Sequence, residues 1–154
     1  MREVFIYTDG ACRGNPGRGG YGVILVCGDF RKELSQGFLA TTNNRMELKA
    51  ALAGLEALNE RCKVTVYSDS KYLVDAHKLG WLEGWKKKGW TRGKKEALAN
   101  VDLWKQIDEI GRKHEIRWEW VKGHAGHAEN ERCDELATTA ADGEELLVDE
   151  GFEG

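Results

Sequence analysis

Residues 4–10 read VFIYTDG, and residues 64–70 read VTVYSDS. Each is a β-branched, aromatic run followed by Tyr, a hydroxyl residue and an aspartate, the pattern of a strand that ends in an acid. Taken alone, Asp69 reads as a turn former or helix cap, since Ser70 and a helical stretch follow it. The repetition asks for more, because Asp9 and Asp69 close two strands of one small chain in the same way.

Outward from Asp9 the chain keeps its strand character. YGVILVC (21–27) and FRKELSQGFLA (30–40), separated by a Gly28–Asp29 turn, complete a three-stranded antiparallel meander. The period then changes. TTNNRMELKAALAGLEALNE (41–60) offers Thr42 and Asn43 as N-caps and sets Ala51, Leu55 and Leu58 on one helical face. KVTVYSD (63–69) is a fourth strand. LANVDLWKQIDEIGRKH (98–114) carries Val101, Trp104, Ile107 and Ile110 at helical spacing, EIRWEWVKG (115–123) is a last strand, and ENERCDELATTAAD (129–142) a last helix. This order predicts an α/β fold with a five-stranded mixed sheet flanked by helices.

A chain of 154 residues is long enough for one domain with a sizeable core and short for two. Residues 1–141 are read as that domain. The stretch 142–154, DGEELLVDEGFEG, holds six of the 26 acids and no Lys or Arg, so the rest sets 23 cations against 20 acids. The net charge of −3 therefore belongs to this tail, whose one-signed composition predicts that it is disordered or lies loosely on the surface. No apolar run approaches the ~20 residues needed to cross a bilayer, and the N-terminus enters a strand without a signal-peptide layout. Cys12, Cys27, Cys62 and Cys133 form neither a CxxC pair nor a staple-like spacing, so reduced thiols are expected. A cytoplasmic monomer without a membrane partner is the expectation.

Two further acids join Asp9 and Asp69. Glu47 precedes Ala51 and Leu55 at i+4 and i+8, so its carboxylate leaves the helix face that must pack on the sheet. Asp134 behaves similarly, with Ala137 and Ala141 following it at i+3 and i+7. Gathering several anions in a partly buried place costs several kcal/mol unless they protonate or bind a cation. Hard oxygen ligands without thiolates favour Mg²⁺, with Mn²⁺ as the alternative, over zinc. The glycine-rich GACRGNPGRGGYG (10–22) joins two strands and lacks GK[ST] and a following helix, which argues against a nucleotide P-loop. His124 and His127 are spaced like a zinc pair, yet the glycines around them and the absence of thiolates argue for a loop.

YTDGACRGNPGRGGYG, TTNNRMEL, YSDSKY, NVDLW and WEWVKGHAGHAENERCDELA together resemble the bacterial type 1 ribonuclease H family over about residues 3 to 141. The resemblance implies that Asp9, Glu47, Asp69 and Asp134 hold two Mg²⁺ ions and that His124 assists proton transfer or product release. It also implies cleavage of the RNA strand of RNA/DNA hybrids, leaving 5′-phosphate and 3′-hydroxyl ends. Lys71 stands where relatives often carry Gln. Telling RNA from DNA requires sensing a 2′-hydroxyl, which both donates and accepts hydrogen bonds. Cys12, Asn15, Asn43 and Asn44, with the backbone of Gly10 and the carboxylate of Glu47, are the expected readers; Asn43 and Asn44 could equally be helix caps.

WLEGWKKKGWTRGKK (81–95) sets Lys86, Lys87, Lys88, Arg92, Lys94 and Lys95 against the single acid Glu83, interleaved with Trp81, Trp85 and Trp90. Cations attract phosphates and indoles lie against sugars or bases, so the segment reads as a nucleic-acid grip. The same tryptophans could be core anchors beneath a solvated lysine face. Two rival functions are a hybrid-binding module without catalysis and a related metal nuclease such as a transposase or reverse-transcriptase domain. Four converging carboxylates argue against the first, and chain length with the basic protrusion argues against the second.

Overall fold

The repeat YTDG/YSDS finds its meaning in the pairing of two strands. β1 (Arg2–Arg13) and β4 (Cys62–Ser68) run parallel, with Tyr7 opposite Tyr67, so Asp9, still within β1, and Asp69, just past β4, stand side by side where that pairing ends. The two tyrosine rings stack at 4.9 Å. A computed structural model describes residues 1–94, 96–122 and 128–153.

The expected meander is present: β2 (Gly17–Cys27) pairs antiparallel with β1 and with β3 (Phe30–Thr41). α1 (Asn43–Glu56) crosses back to β4, and α2 (Lys71–Lys78), α3 (Trp81–Lys87) and α4 (Val101–Gly111) lead to β7 (Glu115–Trp120), parallel to β4. Between α3 and α4, β5 (Thr91–Gly93) and β6 (Glu96–Ala97) make a small hairpin of their own. α5 (Ala128–Asp142) follows β7.

The main sheet has six strands rather than the five expected, in the order β7-β4-β1-β2-β3-β8. The sixth is β8 (Leu146–Leu147), which pairs parallel with Gly37 and Phe38 of β3. It comes from the stretch expected to be disordered. That tail is instead docked, and its Asp149 is buried in contact with Arg45, Lys49 and Thr41. Buried cations supply what composition alone does not register.

Alternation along the strands divides the packing between two faces. Val4, Ile6, Val23 and Leu25 join the core beneath α1, whose Leu48, Ala51 and Leu55 are fully buried. α4 adds Trp104 and Ile107, both fully buried; truncating such a Trp to Ala costs about 3–5 kcal/mol. On the other face α5 lies against β1, β2 and β3. Its approach is close: a Cβ on Gly22 would stand 2.3 Å from the carbonyl oxygen of Cys133, and one on Gly20 would stand 2.5 Å from that of Ala137. Thr42 caps α1, its hydroxyl accepting from the Arg45 N–H at 3.3 Å.

Candidate active site

Three of the four predicted acids meet at the end of the β1–β4 pair. Asp9, Glu47 and Asp69 each bring an oxygen to within 4.8 Å of the others. Asp9 and Glu47 are buried and Asp69 is half-buried. Asp134, from α5, lines the same cavity of about 350 Å³, together with Gly10, Asn43, Asn44, Ser70, Lys71 and Tyr72. A larger hollow of about 570 Å³ lies over β1, β4 and β7, lined by acids and bases alike, including Glu3, Lys63, Arg117 and Glu119. The smaller cavity gathers four carboxylates against the single cation Lys71.

Glu47 is held from two sides. The backbone N–H of Gly10 donates to its Oε1 at 2.7 Å, and the Ser68 hydroxyl donates to its Oε2 at 3.4 Å. Burial, reinforced by the charges of Asp9 and Asp69, holds its carboxyl well above the ordinary carboxylate range. A site so arranged takes a proton or a cation. Its donor set, hard carboxylate oxygens without thiolate, fits Mg²⁺ or Mn²⁺.

Asp69 is fixed through its backbone: the Trp120 indole N–H donates to its carbonyl at 3.1 Å. Lys71 rests its ammonium 4.7 Å from the centre of the same Trp120 ring, an exposed cation on the rim of the acid cavity. Ser68, Tyr72 and Trp120 were not among the residues expected from sequence. The hydroxyl residue before each strand-end acid was the available signal for Ser68; Thr8, its counterpart in β1, donates to the Tyr67 carbonyl at 3.0 Å.

Of the expected readers, Gly10, Asn43 and Asn44 line the cavity, whereas Asn15 and Cys12 bond to the chain at the start of α1. Asn43 and Asn44 are exposed in the first turn of α1, and the capping role belongs to Thr42. The Asn15 side-chain oxygen accepts from the Asn43 N–H at 2.9 Å, tying the glycine loop to the helix. The Cys12 thiol donates to the Thr41 carbonyl at 3.4 Å.

The basic segment divides as well. Trp85 is half-buried against Trp104 at 5.3 Å, a core anchor, whereas Trp81 is exposed. Trp90 is half-buried, with the Lys105 ammonium 5.8 Å from its ring centre. Lys86 is engaged by Asp108 at 2.9 Å and Glu83 at 3.3 Å, while Lys87 and Lys88 are exposed. His124 lies outside the described residues.

The family model described as RNase H matches residues 1–142. A ribonuclease H from Aeromonas salmonicida (strain A449) is 55% identical over 153 residues, covering 99% of each chain. One from Pseudoalteromonas atlantica (strain T6c) is 53% identical over 154 residues, covering 100% of each. Among solved structures, LC9-RNase H1, a type 1 RNase H with the type 2 active-site motif, superposes with a TM-score of 0.83 at 35% identity, over 98% of this chain and 79% of that one. LC11-RNase H1, solved in complex with an RNA/DNA hybrid, superposes with a TM-score of 0.65 at 26% identity, over 90% of this chain and 96% of that one. With the family model spanning five of the six strands of the main sheet and the whole carboxylate cavity, the chain belongs to the ribonuclease H family.

Proposed function

We propose that this chain is an endoribonuclease that hydrolyses the RNA strand of RNA/DNA hybrids, leaving 5′-phosphate and 3′-hydroxyl ends. The observation that carries the reading is the meeting of Asp9, Glu47 and Asp69 within 4.8 Å in a cavity that Asp134 also lines. These four carboxylates are the residues that would hold two Mg²⁺ ions, with Mn²⁺ as a substitute. Bound there, the ions supply an activated water and charge stabilisation for the leaving 3′-oxygen.

The chain's own groups prepare that chemistry. Gly10 and Ser68 orient the two oxygens of Glu47, so the ligand face is set before any cation arrives. Trp120 steadies the backbone at Asp69. Lys71 stands at the rim as a cation for a substrate phosphate. Cys12, Asn15, Asn43, Asn44 and the Gly10 backbone face the minor groove, where 2′-hydroxyls separate RNA from DNA. Asn43 and Asn44 serve this role with exposed amides that the helix cap does not consume. Trp81 and Trp90, with the exposed Lys87 and Lys88, grip the DNA strand, while Trp85, packed on Trp104, and Lys86, paired with Asp108, support the protrusion from within; His124 assists proton transfer or product release.

No helix among the described residues is long and apolar enough to cross a membrane. The four cysteines are free thiols, which suits a monomer working in the reducing cytoplasm. Incubation with an RNA/DNA hybrid, the matching single strands and both homoduplexes, with Mg²⁺ and with a chelator, tests the proposal. Only the hybrid is expected to be cut, and only with metal. Cleavage of duplex DNA, or an intact hybrid in Mg²⁺, overturns it.

A further inference from the structure

Asp149 is farther along the chain than every acid of the cavity, yet its side chain is 0% exposed. Its partner is Arg45, itself only 3% exposed. Arg45 Nε donates to Asp149 Oδ2 at 2.7 Å and Nη2 donates to Oδ1 at 3.1 Å. On its other side the same guanidinium meets Asp102 at 2.9 and 2.8 Å. The Thr41 hydroxyl donates to Asp149 Oδ2 at 2.6 Å, and Lys49 Nζ approaches Oδ1 at 3.2 Å. Two cations and two anions balance. Such a cluster is a poor source of net stability, because desolvation offsets the attraction, but each planar pair accepts one geometry only.

That geometry fixes α1 about its own axis. Side chains advance roughly 100° per residue along a helix, so Arg45 leaves the side nearly opposite Asn43 and Glu47, which share a face at i and i+4. Gly10 and Ser68 hold Glu47 on one side, and Asp149 with Asp102 holds Arg45 on the other. Asn43 and Asn44 stand in the turn just before, on the same helix. The network also reaches the cavity by a second route. Arg45 Nη1 donates to Asn100 Oδ1 at 3.4 Å, and Asn100 Nδ2 donates to the Tyr72 hydroxyl at 3.2 Å. Tyr72 lines the acid cavity beside Asn43 and Asn44.

We infer that Asp149 is a positioning residue for substrate binding: acting through Arg45, the docked C-terminal segment sets the orientation of Asn43, Asn44 and Tyr72 at the rim of the acid cavity. This rests on the reading of that rim as the face that meets the hybrid.

The test is Asp149→Asn, assayed at a temperature where far-ultraviolet circular dichroism shows every variant folded. KM for the hybrid is expected to rise at least about five-fold with kcat within about two-fold, because Glu47 keeps its own anchors. Leu52→Ala weakens the same helix away from the network. Its KM is expected to stay at the wild-type value despite a comparable loss of Tm. A wild-type KM in Asp149→Asn, or an equal rise in Leu52→Ala, overturns the inference. If Asp149→Asn does not fold, Thr41→Val removes one hydrogen bond to Asp149 without the charge and is expected to raise KM about two-fold; no change overturns the inference. The side-chain amide resonances of Asn43 and Asn44 give a readout independent of cleavage. They are expected to shift in Asp149→Asn and not in Leu52→Ala. Shifted resonances with unchanged hybrid binding would overturn the substrate-facing reading of the rim, whereas unshifted resonances would overturn the role of Asp149.

Discussion

The backbone N–H of Gly10 donates to Oε1 of Glu47 at 2.7 Å, joining strand β1 to the second turn of α1. No side chain fits between them. A Cβ at residue 10 would stand 2.8 Å from the Glu47 nitrogen and 2.9 Å from its Oε1. Gly10→Ala must therefore push α1 away from β1 or break the bond. We expect kcat/KM to fall about 100-fold, the order produced by displacing a reacting group by an ångström, and Tm to drop by several degrees. Wild-type kinetics in this variant would show that the bond does not place the carboxylate.

Glu47→Gln and Asp9→Asn are expected to abolish cleavage while raising Tm in metal-free buffer. Burial and the neighbouring charges of Asp9 and Asp69 already oppose ionisation of Glu47, so removing one charge relieves the folded state. Mg²⁺ should raise the Tm of the wild type and do so less in either variant, because a ligand stabilises only what binds it. Thermal scans with Mg²⁺ and with chelator measure both effects. A metal-free Tm at or below wild type would refute the account of repulsion.

His77 stacks on Trp118 with ring centres 3.9 Å apart, and burial pushes its pKa down from 6.5 to about 4. The folded protein thus keeps His77 neutral where the unfolded chain takes up a proton. Stability from this group is complete above about pH 6.5 and declines as pH falls towards about 4, by roughly 3 kcal/mol in all. His77→Phe keeps a stacked ring and should remove that part of the slope. Denaturant unfolding at several pH values between 7 and 4.5 compares the two; parallel curves would show that His77 does not carry the difference.

The lysines of the protrusion should separate by their partners. Lys86→Ala breaks its pair with the largely buried Asp108, so it is expected to lower Tm with little change in the salt dependence of hybrid binding. Lys87→Ala with Lys88→Ala should leave Tm unchanged and flatten the slope of log Kd against log salt by about one unit for each phosphate that the protein no longer neutralises. Binding titrations over a range of salt concentrations distinguish the two, and identical slopes in all variants would remove the protrusion from the interface.

The strand-end acids were legible because a local pattern, repeated, coincided with a register: Tyr7 opposite Tyr67 turns two similar sequences into neighbours. The sheet-facing position of Glu47 followed from helical spacing alone. The docked tail was not legible, since its acids read as solvated charge, and the cation that buries Asp149 lies 104 residues earlier in the chain. Lys86 escapes a sequence reading for the same reason, its partner Asp108 being on another helix. Composition registers how many charges a segment has; burial depends on which distant charge the fold brings to each. The asparagines of TTNN differ from both, for the cap and the exposed amides are adjacent letters, and only the helix start at Asn43 assigns the cap to Thr42.

Gly22 is the register partner of Asp9, and its missing side chain admits the Cys133 carbonyl, one residue before Asp134. The fourth carboxylate therefore owes its height above the sheet to main chain resting on main chain. Side chains between layers can repack as a sequence drifts, and the layers move with them. Here there is no such cushion. The span from Asp9 to Asp134 is a backbone dimension, insulated from substitutions across the rest of the core, and the ligand set keeps its gauge for as long as residue 22 carries no side chain.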